Sequence, residues 1–271
     1  MTDAPDETAF HRAIELLDAG DAQGMRTHLT DHPEIARQRI DYPGHDYFRN
    51  PTLLQFVAEN PVRNDRLPSN IVEVAKVILD AGGASDRPSL DGTLALVCSG
   101  RVPRECGVQR PLIELLCNRG ADPNAAMLPA LGHGEFEAVA ELIRQGAAVD
   151  LATAAATGRV DQAATLLPTS DANTRHRALA LAAQHGHARI VELLLDAGED
   201  PNRYNPEYLH AHSVPLHQAV AGGHDDVVRL LVQRGARLDL RDTVYQGTPL
   251  DWAEHCGQIA IAEFLRSRGA P

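Results

Sequence analysis

A chain of 271 residues with 44% hydrophobic but only 4% aromatic residues builds its core from Ala, Leu, Val and Ile, a composition that suits thin, closely packed helices. A formal charge of −12 and a pI of about 5.5 exclude duplex nucleic acid and an anionic membrane surface as main partners, because phosphate binding relies on clustered Lys and Arg. No run approaches the eighteen or so apolar residues of a membrane span, residues 1–7 lack the basic and apolar regions of a signal peptide, and Cys98, Cys106, Cys117 and Cys256 form no Cys-x-x-Cys pair, so free thiols in a reducing cytoplasm are expected.

In chain order, residues 7–40 read as a helical pair. Phe10, Ala13, Ile14 and Leu17 share one face, Gly20-Asp21 turns the chain, and Met25 and Leu29 continue the apolar pattern. The polar start Asp6, Glu7 and Thr8 marks residues 1–40 as an N-terminal cap, one side of which meets water. Residues 41–50 form a long connection holding Tyr42, Tyr47 and Phe48. A second pair opens over residues 51–58, with Leu54 as its leading leucine. Its second helix, residues 71–79, stops before Gly82 and is delayed by an insertion over residues 60–70 that carries Arg63 and Arg66. A third pair begins at Gly92-Thr93-Leu94, is interrupted over residues 100–110 and resumes over residues 111–119. These two interrupted pairs occupy residues 41–126. Two compressed pairs follow over residues 127–175, turning at Gly134 and Gly158.

Residues 176–271 say nearly the same thing three times. A leucine (Leu179, Leu216, Leu250) opens a short apolar helix, a glycine follows seven residues later (Gly186, Gly223, Gly257), and a second apolar helix ends at another glycine (Gly198, Gly235, Gly269). The leucines recur after 37 and 34 residues, near the period of about 33 of one class of structural repeat. With Thr248-Pro249-Leu250, Val214-Pro215-Leu216-His217-Gln218-Ala219, the pairs Gly186-His187 and Gly223-His224, and Gly120-Ala121-Asp122-Pro123-Asn124, the chain resembles ankyrin repeat proteins. The resemblance implies an all-α ankyrin repeat solenoid over residues 1–271, about eight stacked helix pairs with several long inserted loops. It also implies binding of a protein partner through a concave helix surface and finger loops. In that family the His217 position ties neighbouring turns together by hydrogen bonds, and His187 and His224, which follow turn glycines, read as structural too. The physical reason for stacking does not need the family: helices of about ten residues are unstable alone in water, so each pair must be covered by the next.

Groove positions before the inter-helix glycines include Glu59, His133, His185 and His255, spread over different repeats and too far apart to share one zinc. The finger of residues 200–212 carries Tyr204, His210 and His212. Two imidazoles on a bent finger suit one metal or one phosphate, but without matching Cys or carboxylate partners no metal is assigned. The three inserted stretches place Tyr47, Arg49, Arg63, Arg101 and Arg104 in a basic and aromatic lip on an acidic body, suited to an acidic peptide or an anionic small molecule. No nucleophile elbow, Walker loop, zinc-protease motif or dinucleotide fingerprint is present, and no cofactor is expected. Cys98 follows an apolar run and reads as a small buried hydrophobe, while Cys106, beside Arg101 and Arg104, is the best-placed reactive thiol. The favoured reading is a non-enzymatic protein-binding module. The alternatives are an enzyme or small-molecule receptor whose loops close over the groove, and a scaffold without a pocket.

Overall fold

A computed structural model describes residues 7–42, 46–83 and 86–271. Asp6, the side chains of Glu7 and Asp46, and residues 43–45 of the first long connection lie outside that description. The helices are α1 (Glu7–Asp18), α2 (Ala22–Asp31), α3 (Ile71–Ile78), α4 (Arg87–Ser99), α5 (Arg101–Glu105), α6 (Gln109–Asn118), α7 (Met127–Gly132), α8 (Phe136–Arg144), α9 (Leu151–Ala156), α10 (Val160–Leu166), α11 (Ala172–Gln184), α12 (Ala188–Asp196), α13 (Pro215–Ala221), α14 (Asp225–Gln233), α15 (Pro249–His255) and α16 (Ile259–Ser267). Among the described residues extended pairing is limited to one isolated bridge between Arg39 and Thr52. None of the described helices is long and apolar enough to cross a membrane.

The chain forms two compact units, Met1–Ala148 and Val149–Pro271. In the first, α1, the 3-10 helix Leu53–Ala58, α4 and α7 pack in sequence as one layer, and α2, α3, α6 and α8 form the second. Gly20 turns the first pair at φ +69°, and Asp21 caps α2 by accepting from the Gly24 N–H at 2.7 Å. Two boundaries differ from the sequence reading. Helix α4 starts at Arg87, five residues before Gly92, because Asp86 caps it through the Ser89 N–H at 2.7 Å. The stretch over residues 100–110 is largely helical: α5 buries Val102 and Pro103, and α6 already begins at Gln109. Proline is tolerated there because it lies in a first turn, where its missing N–H would have no helical acceptor.

In the second unit α9, α11, α13 and α15 form one layer and α10, α12, α14 and α16 the other. The first layer is alanine-rich: Ala154, Ala155, Ala178, Ala182, Ala183, Ala219 and Ala253 are buried, so helices approach closely. The second supplies bulk through Ile190, Val191, Leu194, Val227, Val228, Leu231, Ile261 and Leu265. Truncating one of these large residues to alanine is worth about 2–5 kcal/mol, so each pair depends on its neighbours for stability. The three clear repeats turn at Gly186, Gly223 and Gly257, each at φ near +70°, a conformation that penalises a Cβ. Helix α11 is longer than the repeat pattern suggests because Asp171 caps it well upstream of Leu179, accepting from the Asn173 and Thr174 N–H groups.

Candidate functional site

The recurring punctuation of the repeats resolves into latches. The His187 imidazole reaches the Ala156 carbonyl at 3.0 Å, and His224 reaches the Gln184 carbonyl at 2.9 Å, each satisfying a helix-end carbonyl of the preceding pair. In Asp200-Pro201-Asn202 the Asn202 side chain accepts from the Arg237 N–H at 2.8 Å and donates to the Gly235 carbonyl at 3.1 Å, joining two successive loops. Asn124 accepts from the Ala148 N–H at 2.8 Å in the same way in the first unit. His217 bridges two elements: its Nδ1 accepts from the Val214 N–H at 3.5 Å and its Nε2 donates to the Gly247 carbonyl at 3.1 Å. Burial lowers its pKa, against the opposing effect of the Gly247 hydrogen bond, and keeps the ring neutral.

In the first unit the expected basic lip is largely neutralised by its own chain. Arg63 is only 13% exposed at its side chain. It pairs with Glu59 at 2.8 Å and Asp18 at 3.0 Å and lies over the Phe56 ring. Glu59, expected to face the groove, is fully buried and also accepts the Arg63 N–H at 2.7 Å and the Asn64 N–H, so it organises the inserted loop. Arg101 bridges Asp65 and Glu105, and Arg104 pairs with the buried Glu135. Tyr47 is exposed and donates to Asn60 Oδ1 at 3.2 Å, with its pKa raised by partial burial; Arg49, two residues on, is exposed. His133 is exposed. Cys98 is buried and its thiol pKa is pushed far up by desolvation, as suits a packing residue. Cys106 is exposed and accepts from the Leu67 N–H at 3.4 Å.

The second unit does gather sequence-predicted residues. The finger of residues 200–212 is anchored at its base by His176, whose Nε2 donates to the Tyr204 carbonyl at 2.8 Å, and by Ser213, which takes a hydrogen bond from Gln218 at 2.9 Å. It is then tied to the next finger, residues 241–247. Tyr204 donates its hydroxyl to the Arg241 carbonyl at 2.6 Å, and the His212 carbonyl accepts from the Thr243 N–H at 2.8 Å, a backbone link across the two fingers. His210 and His212 meet edge to face at 6.0 Å, and His212 also lies 5.9 Å from the Trp252 ring and 6.3 Å from the Tyr245 ring. The His217 ring packs against Trp252 as well, at 5.1 Å. Among the described residues no three His, Cys, Asp or Glu side chains converge as metal ligands.

Asp242 shapes the second finger. Its Oδ1 accepts the Val244 and Tyr245 N–H groups at 2.9 and 2.6 Å, and its Oδ2 accepts the Gly247 N–H at 2.9 Å and the Trp252 indole N–H at 3.0 Å. Desolvation alone would raise this carboxyl; the four donors outweigh it and hold the pKa at about 2. The result is a cleft of 630 Å³ lined by Tyr245, Gln246 and Gly247 of the finger, Asp251, Trp252 and His255 of α15, and Ala221 and Cys256. Of the residues singled out from the sequence, His255 lines this cleft, and Tyr204, His210 and His212 belong to the fingers beside it, whereas His185 is half-buried after α11. Tyr245, Trp252, Asp242 and Asp251 were missed. The one tryptophan of the chain, four residues beyond the Thr248 cap, was the available signal.

Short antiparallel helix pairs, packed in two layers within each unit and latched through their turns, define a helical repeat protein. A family model described as ankyrin repeats in three copies matches residues 106–205 and again 179–271, and this chain belongs to the ankyrin repeat family. Human Cyclin-dependent kinase inhibitor 2A is 38% identical over 121 residues, 43% of this chain and 75% of that protein. The Bos taurus Cyclin-dependent kinase 4 inhibitor B is 38% identical over 126 residues, 45% of this chain and 93% of that protein. Ankyrin repeat and KH domain-containing protein mask-1 of Caenorhabditis elegans is 29% identical over 217 residues, 73% of this chain but 8% of that protein. The chain is a protein-binding repeat module.

Proposed function

We propose that this module binds its protein partner through the paired fingers, residues 200–212 and 241–247, and the cleft beside them at α15. The observation that carries the reading is large side chains exposed on loops tied down by hydrogen bonds: Tyr245 is 77%, Tyr208 76% and Val244 60% exposed, although the chain has few aromatic residues to place on its surface. Exposed aromatic side chains on ordered loops are the usual anchors of protein interfaces. The relatives named as kinase inhibitors support a protein as the target, and a protein kinase is one class to include among candidates. The lip residues Tyr47, Arg49, Arg63, Arg101 and Arg104 make a second, weaker site for an acidic peptide or anionic small molecule, since carboxylates already occupy three of those guanidinium groups.

The test compares capture of proteins from a cell extract by the immobilised chain, by a Tyr208→Ala/Tyr245→Ala variant, and by an Arg49→Ala/Arg101→Ala variant. A protein retained by the parent and by the lip variant but lost by the finger variant supports the site. Retention unaffected by the finger substitutions refutes it, and loss confined to the lip variant moves the site to the first unit.

A further inference from the structure

We propose that the cleft of the second unit receives a cationic side chain, arginine or lysine, presented by the protein partner. The inference rests on the protein-binding reading and names the chemistry of its central contact. Two aromatic rings, Tyr245 and Trp252, line the cleft together with the Asp251 carboxylate, and no lining residue is Lys or Arg. Aromatic faces beside a carboxylate attract a cation through the ring quadrupole and the charge at once.

The carboxylate is ready for that role. The Thr248 N–H at 2.7 Å and hydroxyl at 2.9 Å both bind Asp251 Oδ2, lowering its pKa and fixing the side chain, which is still 55% exposed. Arg241 stands 4.0 Å from the same oxygen, with its Nη1 already donating to the Gln246 carbonyl at 2.6 Å. All three of these contacts fall on Oδ2. An acidic ligand would meet the Asp251 carboxylate, and Arg241, the cation beside it, already donates to the Gln246 carbonyl. A purely apolar side chain would strip water from this half-exposed carboxylate and replace it with no donor, which is costly. The overall charge of −12 favours approach of a basic partner segment in the same sense.

Trp252 is the only tryptophan in the chain, and its indole N–H, bonded to Asp242 at the cleft, gives one reporter resonance. The full chain is titrated with four capped peptides, Gly-Ser-X-Ser-Gly, in which X is arginine, lysine, norleucine or glutamate, while the indole signal is followed by NMR. The expected result is a saturable displacement by the arginine or the lysine peptide, at least about fivefold tighter than by norleucine, with none from glutamate. The comparison of the two cationic peptides tells which side chain the cleft takes. Tyr245→Leu, an exposed position, and Asp251→Asn should each weaken the cationic peptide about threefold or more; the first keeps the test valid if the second disturbs the Thr248 cap. Equal binding of norleucine, or no displacement by either cation, overturns the proposal. If the finger variant loses its protein partner while the peptides fail to discriminate, the cation assignment falls and the binding site stands.

Discussion

Asp242→Asn is the sharpest probe of how the cleft is held. The carboxylate offers Oδ1 to two backbone donors and Oδ2 to a third and to the Trp252 indole. An amide of the same shape must turn its NH2 toward one of these pairs and leave two donors without an acceptor, at about 1 kcal/mol each. The titration gives an independent figure: holding the carboxyl at about 2 rather than 3.8 corresponds to about 2 kcal/mol at full strength, which solvent screening around a finger loop reduces to about 1–2 kcal/mol. Both routes converge on a loss of about 1–2 kcal/mol, read by urea unfolding at pH 7. The sign follows from the depressed native pKa. The contribution is complete above the unfolded value near 3.8 and is lost as pH falls through about 2, so the gap between parent and variant should be roughly halved near pH 3. The Trp252 emission should also move to longer wavelength in the variant as the ring loses its partner. Identical unfolding midpoints at pH 7, or a gap that does not shrink on acidification, would refute the reasoning.

His217 is neutral and buried with a lowered pKa, so stability of the second unit should decline as pH falls from its unfolded value near 6.5 toward the native one, and His217→Gln should flatten that slope in a pH series of thermal midpoints, leaving the His176 contribution. Gly186→Ala places a Cβ 2.5 Å from the His224 ring at φ +78°, whereas Gly198→Ala at φ +90° meets nothing within 4 Å. The first should cost about 2–4 kcal/mol and the second about 1 kcal/mol by urea unfolding, and equal costs would show that the His224 latch contributes nothing. Arg63→Met leaves the Glu59 charge buried without its cation and should destabilise the first unit by about 3 kcal/mol, whereas Arg101→Met, at an exposed pair, should leave the unfolding midpoint nearly unchanged; calorimetry of both variants checks the difference.

Periodic leucines and turn glycines were enough to mark most of the helices, because a helix that must bury one stripe writes that stripe into its spacing. The roles of His187 and His224 were legible for the same reason, since both follow a turn glycine in successive repeats, and that of His217 through the resemblance to the family. The start of α4 at Arg87 and the helical character of Arg101–Glu105 were not, since a cap aspartate and a buried Val-Pro pair leave little periodic trace. For the arginines of the insertions, residue type signalled charge but could not tell whether a partner was already present. Arg63 lies 45 residues from Asp18, and Arg104 lies 31 from Glu135, distances in sequence that only packing closes. The cleft belongs to that second kind of fact. Helix-pair stacking is dictated locally, by the need of each short amphipathic element for cover. Trp252, Tyr245 and His212 come from three separate segments, and they meet because Asp242 and the finger-to-finger hydrogen bonds fold two irregular loops onto α15.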